Sequence, residues 1–424
     1  MNKQFSSKAS VLVLRRVALA SALCCAGLAQ AQTGPDVTLY GLADVGITSV
    51  SGLKAGTVTQ VASGIMEGSR WGIKGTEDMG GGYKAIFTLE ARVELDTGAS
   101  SNRPISASQL PDQYTARELN LLSTGIPVFT ATAAGTEAVL GSLLGVNLTN
   151  NQFDRQAYVG LITPVGAVLA GRQYTPAYET QATYDIMQTQ SALAAGQIVS
   201  IPAAFDIRMS NSLAYRFVKD GISGSFMYAL GEAAGDSDKS RLLGINASYT
   251  TDVFSVGIGY NTKNNEFGLK SLTNTVLGAS MNFGSSKVST MVAKVTDDNP
   301  SGLLALSATV GTGLEPIYRA YANVLKQDGT LFHIGYRNVT GPNTISVAYN
   351  QYNDKRPGNA DVKSYGMAYS YALSKRTDLN AVLVRFDNSG KAQVAPGGNG
   401  YLGGVTASAG TDSTGLAFGI RHRF

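Results

Sequence analysis

Apolar and polar residues alternate with a period of two from one end of the chain to the other. In 253–261, Phe254, Val256, Ile258 and Tyr260 share one parity, and Ser255, Gly257, Gly259 and Asn261 share the other. The same division runs through 241–250, where Leu243, Ile245, Ala247 and Tyr249 oppose Gly244, Asn246, Ser248 and Thr250, and through 413–424, where Leu416, Phe418 and Ile420 oppose Ala417, Gly419 and Arg421. In 207–217 the charges sit opposite the aromatics: Arg208, Ser210, Ser212 and Arg216 against Ile207, Met209, Leu213, Tyr215 and Phe217. A strand turns successive side chains to opposite faces, so this pattern predicts β-structure with one apolar face and one polar face.

Sixteen such segments can be marked: 37–47, 67–76, 83–95, 155–163, 167–174, 207–217, 222–230, 241–250, 253–261, 272–283, 287–295, 330–338, 344–352, 362–373, 378–386 and 413–424. Tight connections such as Asp78 to Gly82, Thr163 to Gly166, Thr251-Asp252 and Gly284 to Ser286 alternate with long ones at 97–153, 175–206, 296–329 and 387–412. Short turns on one rim and long loops on the other are expected of an all-β transmembrane antiparallel barrel. A soluble sandwich or stacked solenoid would also alternate. Even strand numbers favour a closed barrel, and Leu303–Val310 with Ile317–Leu325 are apolar enough to raise sixteen strands to eighteen. Either size leaves room for an aqueous lumen. Tyr40, Tyr174, Tyr228, Tyr249, Tyr260, Tyr352 and Tyr371 fall near strand ends, as interfacial girdles would.

The first 31 residues read differently. Lys3, Lys8, Arg15 and Arg16 precede an apolar run from Val17 to Leu28 and the small-residue site Ala29-Gln30-Ala31, which is the form of a cleaved secretory signal. Residues 32–424 are then the barrel. The 424-residue chain has 34 Lys and Arg, and losing the four in this segment leaves 30 against 30 Asp and Glu. Such neutrality gives no whole-chain attraction to nucleic acid. Cys24 and Cys25, the two cysteines, also leave with the signal, so disulfides and thiolate metal sites are not expected.

Seven pieces in order then resemble one family, the trimeric general porins of Gram-negative outer membranes, particularly the β-proteobacterial type. They are Val37-Thr38-Leu39-Tyr40-Gly41 with Asp44; Gly68-Ser69-Arg70-Trp71-Gly72 through Gly75-Thr76-Glu77-Asp78 and Gly80-Gly81-Gly82; Ala85-Ile86-Phe87-Thr88-Leu89-Glu90; Arg155-Gln156-Ala157-Tyr158-Val159-Gly160-Leu161; Gly171-Arg172-Gln173-Tyr174-Thr175-Pro176; Tyr371-Ala372-Leu373-Ser374-Lys375-Arg376-Thr377-Asp378-Leu379; and Gly419-Ile420-Arg421-His422-Arg423-Phe424. The resemblance implies a 16-stranded barrel in the outer membrane, a homotrimer in contact with lipid and lipopolysaccharide, and passive diffusion of ions and small hydrophilic solutes. It also implies that the third loop, 175–206, folds inward and faces basic residues across the lumen.

On that resemblance the constriction is expected to contain Arg70, Arg155, Arg172 and Arg208 on the wall, with Glu179 and Asp185 in the loop and Asp206 beside it. Lys74 and Lys84 share the lumen parity, and Trp71 and Phe424 read as membrane-facing. An arginine-lined lumen predicts a weak anion preference. Facing charges in a narrow site of low dielectric create a transverse field that orders dipolar solutes. The loop reads Ser200-Ile201-Pro202-Ala203-Ala204-Phe205-Asp206 and lacks the acidic motif of better-known relatives. Segment 97–153 is long and apolar at Leu119 to Leu122 and Ala138 to Val146, which suits either contact with a neighbouring subunit or a lid. An outer-membrane enzyme needs a base, and only His333 and His422 are offered, without a recognisable partner pattern. No phosphate loop, dinucleotide fingerprint or metal-spaced His pair is present, so no cofactor or metal is expected. A closed adhesin or receptor barrel and a substrate-specific channel are the other readings.

Overall fold

The computed structural model describes residues 36–103, 110–122, 127–142, 145–199, 206–301, 315–397 and 403–424, and the expected signal segment 1–31 lies outside them. The alternating segments form β1 (Asp36–Leu53), β2 (Gly56–Ser63), β3 (Arg70–Gly80), β4 (Tyr83–Arg92), β5 (Gln156–Thr163), β6 (Gly166–Tyr174), β7 (Arg208–Lys219), β8 (Ile222–Ala229) and β9 (Leu242–Thr250). They continue as β10 (Phe254–Asn264), β11 (Lys270–Phe283), β12 (Ser286–Asp297), β13 (Gln327–Thr340), β14 (Asn343–Asp354), β15 (Val362–Ala372), β16 (Thr377–Asn388) and β17 (Ser413–Arg423). Each strand is antiparallel to its neighbours, and β1 pairs with β17 from Leu42↔Arg423 to Val50↔Gly415, closing the sheet on itself.

The parity read from the sequence becomes inside and outside. Val256, Ile258, Leu277, Ile245, Leu383 and Phe418 are exposed on the outer face, as hydrocarbon requires, while their strand neighbours point inward. Closure leaves no free edge along the wall, so the backbone donors and acceptors there are satisfied within the sheet. No helix among the described residues is long and apolar enough to cross a membrane.

Seventeen strands occupy sixteen positions because the second position is broken. Both β2 and β3 pair with β1, the first from Val45↔Ser63 upward and the second from Leu42↔Arg70 downward. Between them the chain leaves the sheet around the side chain of Asp44, which is fully buried. Its Oδ1 accepts from the amide of Ile65 at 3.1 Å, and its Oδ2 from Met66 at 2.9 Å and Glu67 at 2.7 Å. The carboxylate therefore replaces the ladder partners that the break removes. All sixteen segments marked in the sequence fall on strands. β2 was not marked, because a short run after Gly56 resembles a loop.

The eighteen-strand alternative fails. Residues Ile317–Leu325 are not a strand: Glu315–Val324 is an α-helix whose Ile317, Tyr318, Tyr321 and Ala322 are buried, a spacing that repeats near 3.6 rather than 2. Leu303–Val310 lies outside the described residues.

The girdle reading of the tyrosines holds for some and fails for others. Tyr249 and Tyr371 are exposed, but Tyr352 is buried inside the barrel, and Tyr40 donates to Glu90 Oε2 at 3.1 Å. Parity decides this, since Tyr40 and Tyr352 stand on the inward register.

Replacing Asp44 with alanine leaves three amides without an acceptor, each costing about 1–3 kcal/mol when buried. The D44A barrel is expected to lose β-sheet circular dichroism at a clearly lower temperature than wild type, with D44N between them because its amide oxygen still accepts. Equal melting of all three would show that the break is held by something else.

Candidate functional site

The largest apolar cluster of this protein lies inside the barrel, where the segment after β6 crosses the lumen and packs on the inner wall. It opens with the helix Pro176–Tyr184, here α2, following the helix Pro127–Ser142, α1, and preceding Glu315–Val324, α3. Pro176 occupies the first turn of α2, where its missing N–H costs nothing. The wall beneath α2 is cleared by glycine on the inward parity of β9, β10 and β11. A Cβ added at Gly244 would meet Pro176 Cδ at 2.7 Å, and one at Gly257 would meet Tyr184 Oη at 2.6 Å. Gly259 and Gly278 lie equally tight under Thr180 and Tyr184.

Beyond the helix, Ile186, Met187, Leu193 and Ile198 are at most 2% exposed and join Val276, Met291, Leu331, Val384 and Phe386 in one core. Burying each of these large loop side chains contributes about 1.5–3 kcal/mol. Polar fasteners fix the register. The amide of Ile186 donates to His333 Nε2 at 2.9 Å, which leaves Nδ1 as the donor to Asn350 Oδ1 at 2.6 Å, and Asn350 Nδ2 donates onward to Leu193 O at 3.0 Å. His333 is thus a buried anchor for the loop.

Against the free side of this loop stands a group of basic side chains. Arg155 Nε pairs with Glu90 Oε1 at 2.7 Å, and its Nη2 donates to Tyr174 Oη at 3.3 Å. Arg208 Nη2 donates to the same oxygen at 2.9 Å, with its guanidinium 4.6 Å from the centroid of the Tyr174 ring. Tyr174 in turn stacks on Tyr178 of α2, centroids 5.3 Å apart, so the loop and the wall meet through aromatic faces. Arg70 pairs with Glu67 at 2.8 Å and reaches Glu90 at 3.6 Å. Glu67 also binds Arg421 at 2.9 Å and Arg423 at 3.2 Å, and both of these share Asp378. Four guanidiniums therefore share three carboxylates, and Arg208 stands beside Arg155 with Tyr174 as its partner. Lys74 adds a cation, 5.3 Å from the Tyr40 ring centroid.

Arg70, Arg155 and Arg208 are brought together as the sequence suggested. Arg172 is not with them. It is the direct partner of Ala157 and has the outward parity of Val168 and Ala170; its Nε donates to Asp154 O at 2.7 Å and its Nη1 to Ser210 Oγ at 3.0 Å. The motif, not the parity, misplaced it; next to it the β6–β7 register slips between Gly171 and Gln173, and Asn211 has a φ of 54°.

The loop carboxylates, expected to face the arginines, are occupied elsewhere. Asp185 is buried, its oxygens accepting from the amides of Met187 at 2.9 Å, Ala195 at 3.1 Å and Thr189 at 3.2 Å. Glu179 is paired with Arg216 and accepts from Asn246 Nδ2 at 3.3 Å; burial pushes its carboxyl up, against the pull of Arg216. Asp206 pairs with Lys263 at 3.3 Å. Toward the wall the loop offers amides instead, Gln188 to Arg337 at 3.2 Å and Gln190 to Arg421 at 3.3 Å. Glu67, Glu90, Tyr174, Tyr178, Arg421 and Arg423 were not singled out as site residues. Glu90 could have been found, because it shares the lumen parity of Lys84 and Thr88.

Above this level, segment 97–153 packs on the chain's own loops. Ala116, Leu121 and Ala133 form a cluster with Ile317 and Tyr321 of α3, while Asp112 pairs with Lys54 at 2.6 Å and Glu118 with Lys391 at 3.5 Å. It thereby links the β1–β2 hairpin, α3 and the loop after β16.

Substituting Asp185 by alanine removes one acceptor set from three amides of the inward loop while leaving its apolar contacts. D185A is expected to fold and to give larger, noisier single-channel steps than wild type. Quiet steps of unchanged size would mean that the core alone fixes the loop.

A family model described as Gram-negative porin matches residues 17–391. The outer membrane porin protein 32 of Delftia acidovorans is 26% identical over 95% of this chain and 97% of its own length. Among solved structures, the anion-selective porin from Comamonas acidovorans superposes with a TM-score of 0.68 at 22% identity, covering 92% of this chain and all of that one. The in-vitro folded OmpT of Vibrio cholerae in its trimer form gives 0.56 at 12% identity, covering 92% of this chain and 100% of that one.

Proposed function

The chain belongs to the Gram-negative porin family and is an outer-membrane diffusion channel, and from this premise we propose that its lumen prefers anions because loop three brings no free carboxylate to the constriction. The observation that carries this reading is an excess of guanidiniums: Arg70, Arg155, Arg421 and Arg423 share Glu67, Glu90 and Asp378, and Arg208, beside Arg155 at Tyr174, has no carboxylate partner among the described residues. In a water-filled but narrow passage that imbalance lowers the energy of a permeating anion and raises that of a cation. The likeness to an anion-selective porin supports the same direction.

Solutes pass unaltered in this reading. His333, the one buried imidazole, serves as a backbone acceptor and hydrogen-bond donor within the loop anchor rather than as a base on a substrate. The apolar outer face meets lipid and, at the long-loop rim, lipopolysaccharide. The protein assembles as a homotrimer, in keeping with the trimer form of a structural relative. Residues 1–31 are removed on export. Segment 97–153, tied to loops on several sides, acts as a partial lid over the outer mouth rather than as an arm toward a neighbour.

Single-channel recording of purified protein across a tenfold salt gradient tests the charge assignment. The reversal potential is expected on the anion side. In the R155Q/R208Q double variant the anion-to-cation permeability ratio is expected to fall by roughly two- to fivefold. A cation-side reversal for wild type would overturn the proposal while leaving the fold intact.

A further inference from the structure

On the opposite wall, beneath the inward loop, two cations face each other across adjacent strands. Lys287 of β12 and Arg337 of β13 are direct Cα partners, and both have the inward parity of Ser289, Met291 and His333. Like charges placed directly opposite on a sheet repel and destabilise it unless something compensates. Among the described residues neither forms a salt bridge. Arg337 spends Nε on Ser346 Oγ at 3.1 Å and Nη1 on Gln188 Oε1 at 3.2 Å, both neutral acceptors. Lys287 Nζ has no hydrogen-bond partner among the described residues. Arg337 also feels the negative charge of Asp185, whose oxygens accept from three amides and which makes no salt bridge to it, and the positive charge of Arg421.

Position adds to the argument. Lys287 is the second residue of β12, immediately after the short turn at Gly284, and Arg337 precedes the short turn at Gly341 by four residues. Both turns belong to the short-turn rim, the periplasmic one in an outer-membrane barrel. The pair therefore lies about 10 Å or less from the outlet, on strands β12 and β13, away from the starts of β5 and β7, where Arg155 and Arg208 stand.

We propose that Lys287 and Arg337 form an oxyanion subsite at the periplasmic outlet, distinct from the constriction, which holds a doubly charged oxyanion of the phosphate or sulfate type as it leaves the channel. This rests on the channel reading above. An ammonium supplies a mobile point charge and a guanidinium a planar donor fork, so a tetrahedral dianion bridges the two where chloride satisfies only one. Occupation removes the repulsion that the empty sheet carries, and Gln188 places the amide edge of the loop beside the bound ion.

The test uses the full-length protein in planar bilayers. Chloride conductance and reversal potential are measured first, and then the concentration of inorganic phosphate that halves the chloride current is compared for wild type, K287Q, R337Q and the double variant. Wild type is expected to show saturable block, with the half-blocking concentration raised roughly fivefold in either single variant and about tenfold or more in the double. The reversal potential should stay on the anion side throughout. K287Q removes no hydrogen bond or salt bridge made among the described residues, so its result does not depend on whether R337Q is stable. An open, anion-preferring channel with the same phosphate sensitivity in K287Q as in wild type would overturn the subsite and spare the channel. Absence of conductance, or a cation-side reversal in wild type, would overturn the channel reading and the subsite with it.

Discussion

The requirement that every backbone N–H and C=O in contact with hydrocarbon find a partner inside the protein shapes everything else in this chain. An open sheet would present two rows of unpaired groups to lipid, at several kcal/mol for each group. Pairing β1 with β17 removes both rows at once. Where the ladder is broken between β2 and β3, Asp44 supplies oxygens in place of main-chain acceptors. Closure also creates the lumen, because sixteen tilted positions enclose more volume than their own side chains can fill.

That surplus volume is then partly refilled. The inward loop behaves as a second core element: glycines on β9 to β11 let α2 approach the wall, and a cluster around Leu193 and Phe386 seals the far side. The inner wall is thus divided. Half of it is apolar and dry under the loop, and half is basic and faces water. A barrel with an entirely polar interior would offer the loop nothing to pack on, and fixing a loop of this length against conformational entropy needs such burial.

Charge follows the same division. The carboxylates carried by the loop are consumed in holding it, Asp185 by backbone amides and Glu179 by Arg216. What remains toward the passage is guanidinium, tyrosine and neutral amide. A chain with nearly equal numbers of basic and acidic residues can in this way present an unbalanced inner surface, because some charges are consumed in structural roles. The same separation leaves Lys287 and Arg337 facing one another with no salt bridge to either among the described residues.

The period-two pattern located sixteen strands and their inner and outer faces, because alternation along a strand depends on local geometry alone, but it left eighteen open and missed β2. The ordered motifs pointed to the family and singled out Arg70 and Arg155, and parity singled out Arg208, which the fold brings close to them. Tertiary structure decided what alternation could not. Arg172 turns outward with Val168 and Ala170 although its motif suggested the lumen. Asp185 had the right charge in the right loop, yet the loop folds around it. Ile317 to Val324 reads as apolar in either period, and packing against Ala116, Leu121 and Ala133 selects the helix. Glu67, Tyr178 and Arg421 come from a strand break, an inward helix and the last strand. They meet only when the barrel closes and the loop crosses it, and contacts between segments hundreds of residues apart leave no local period to read.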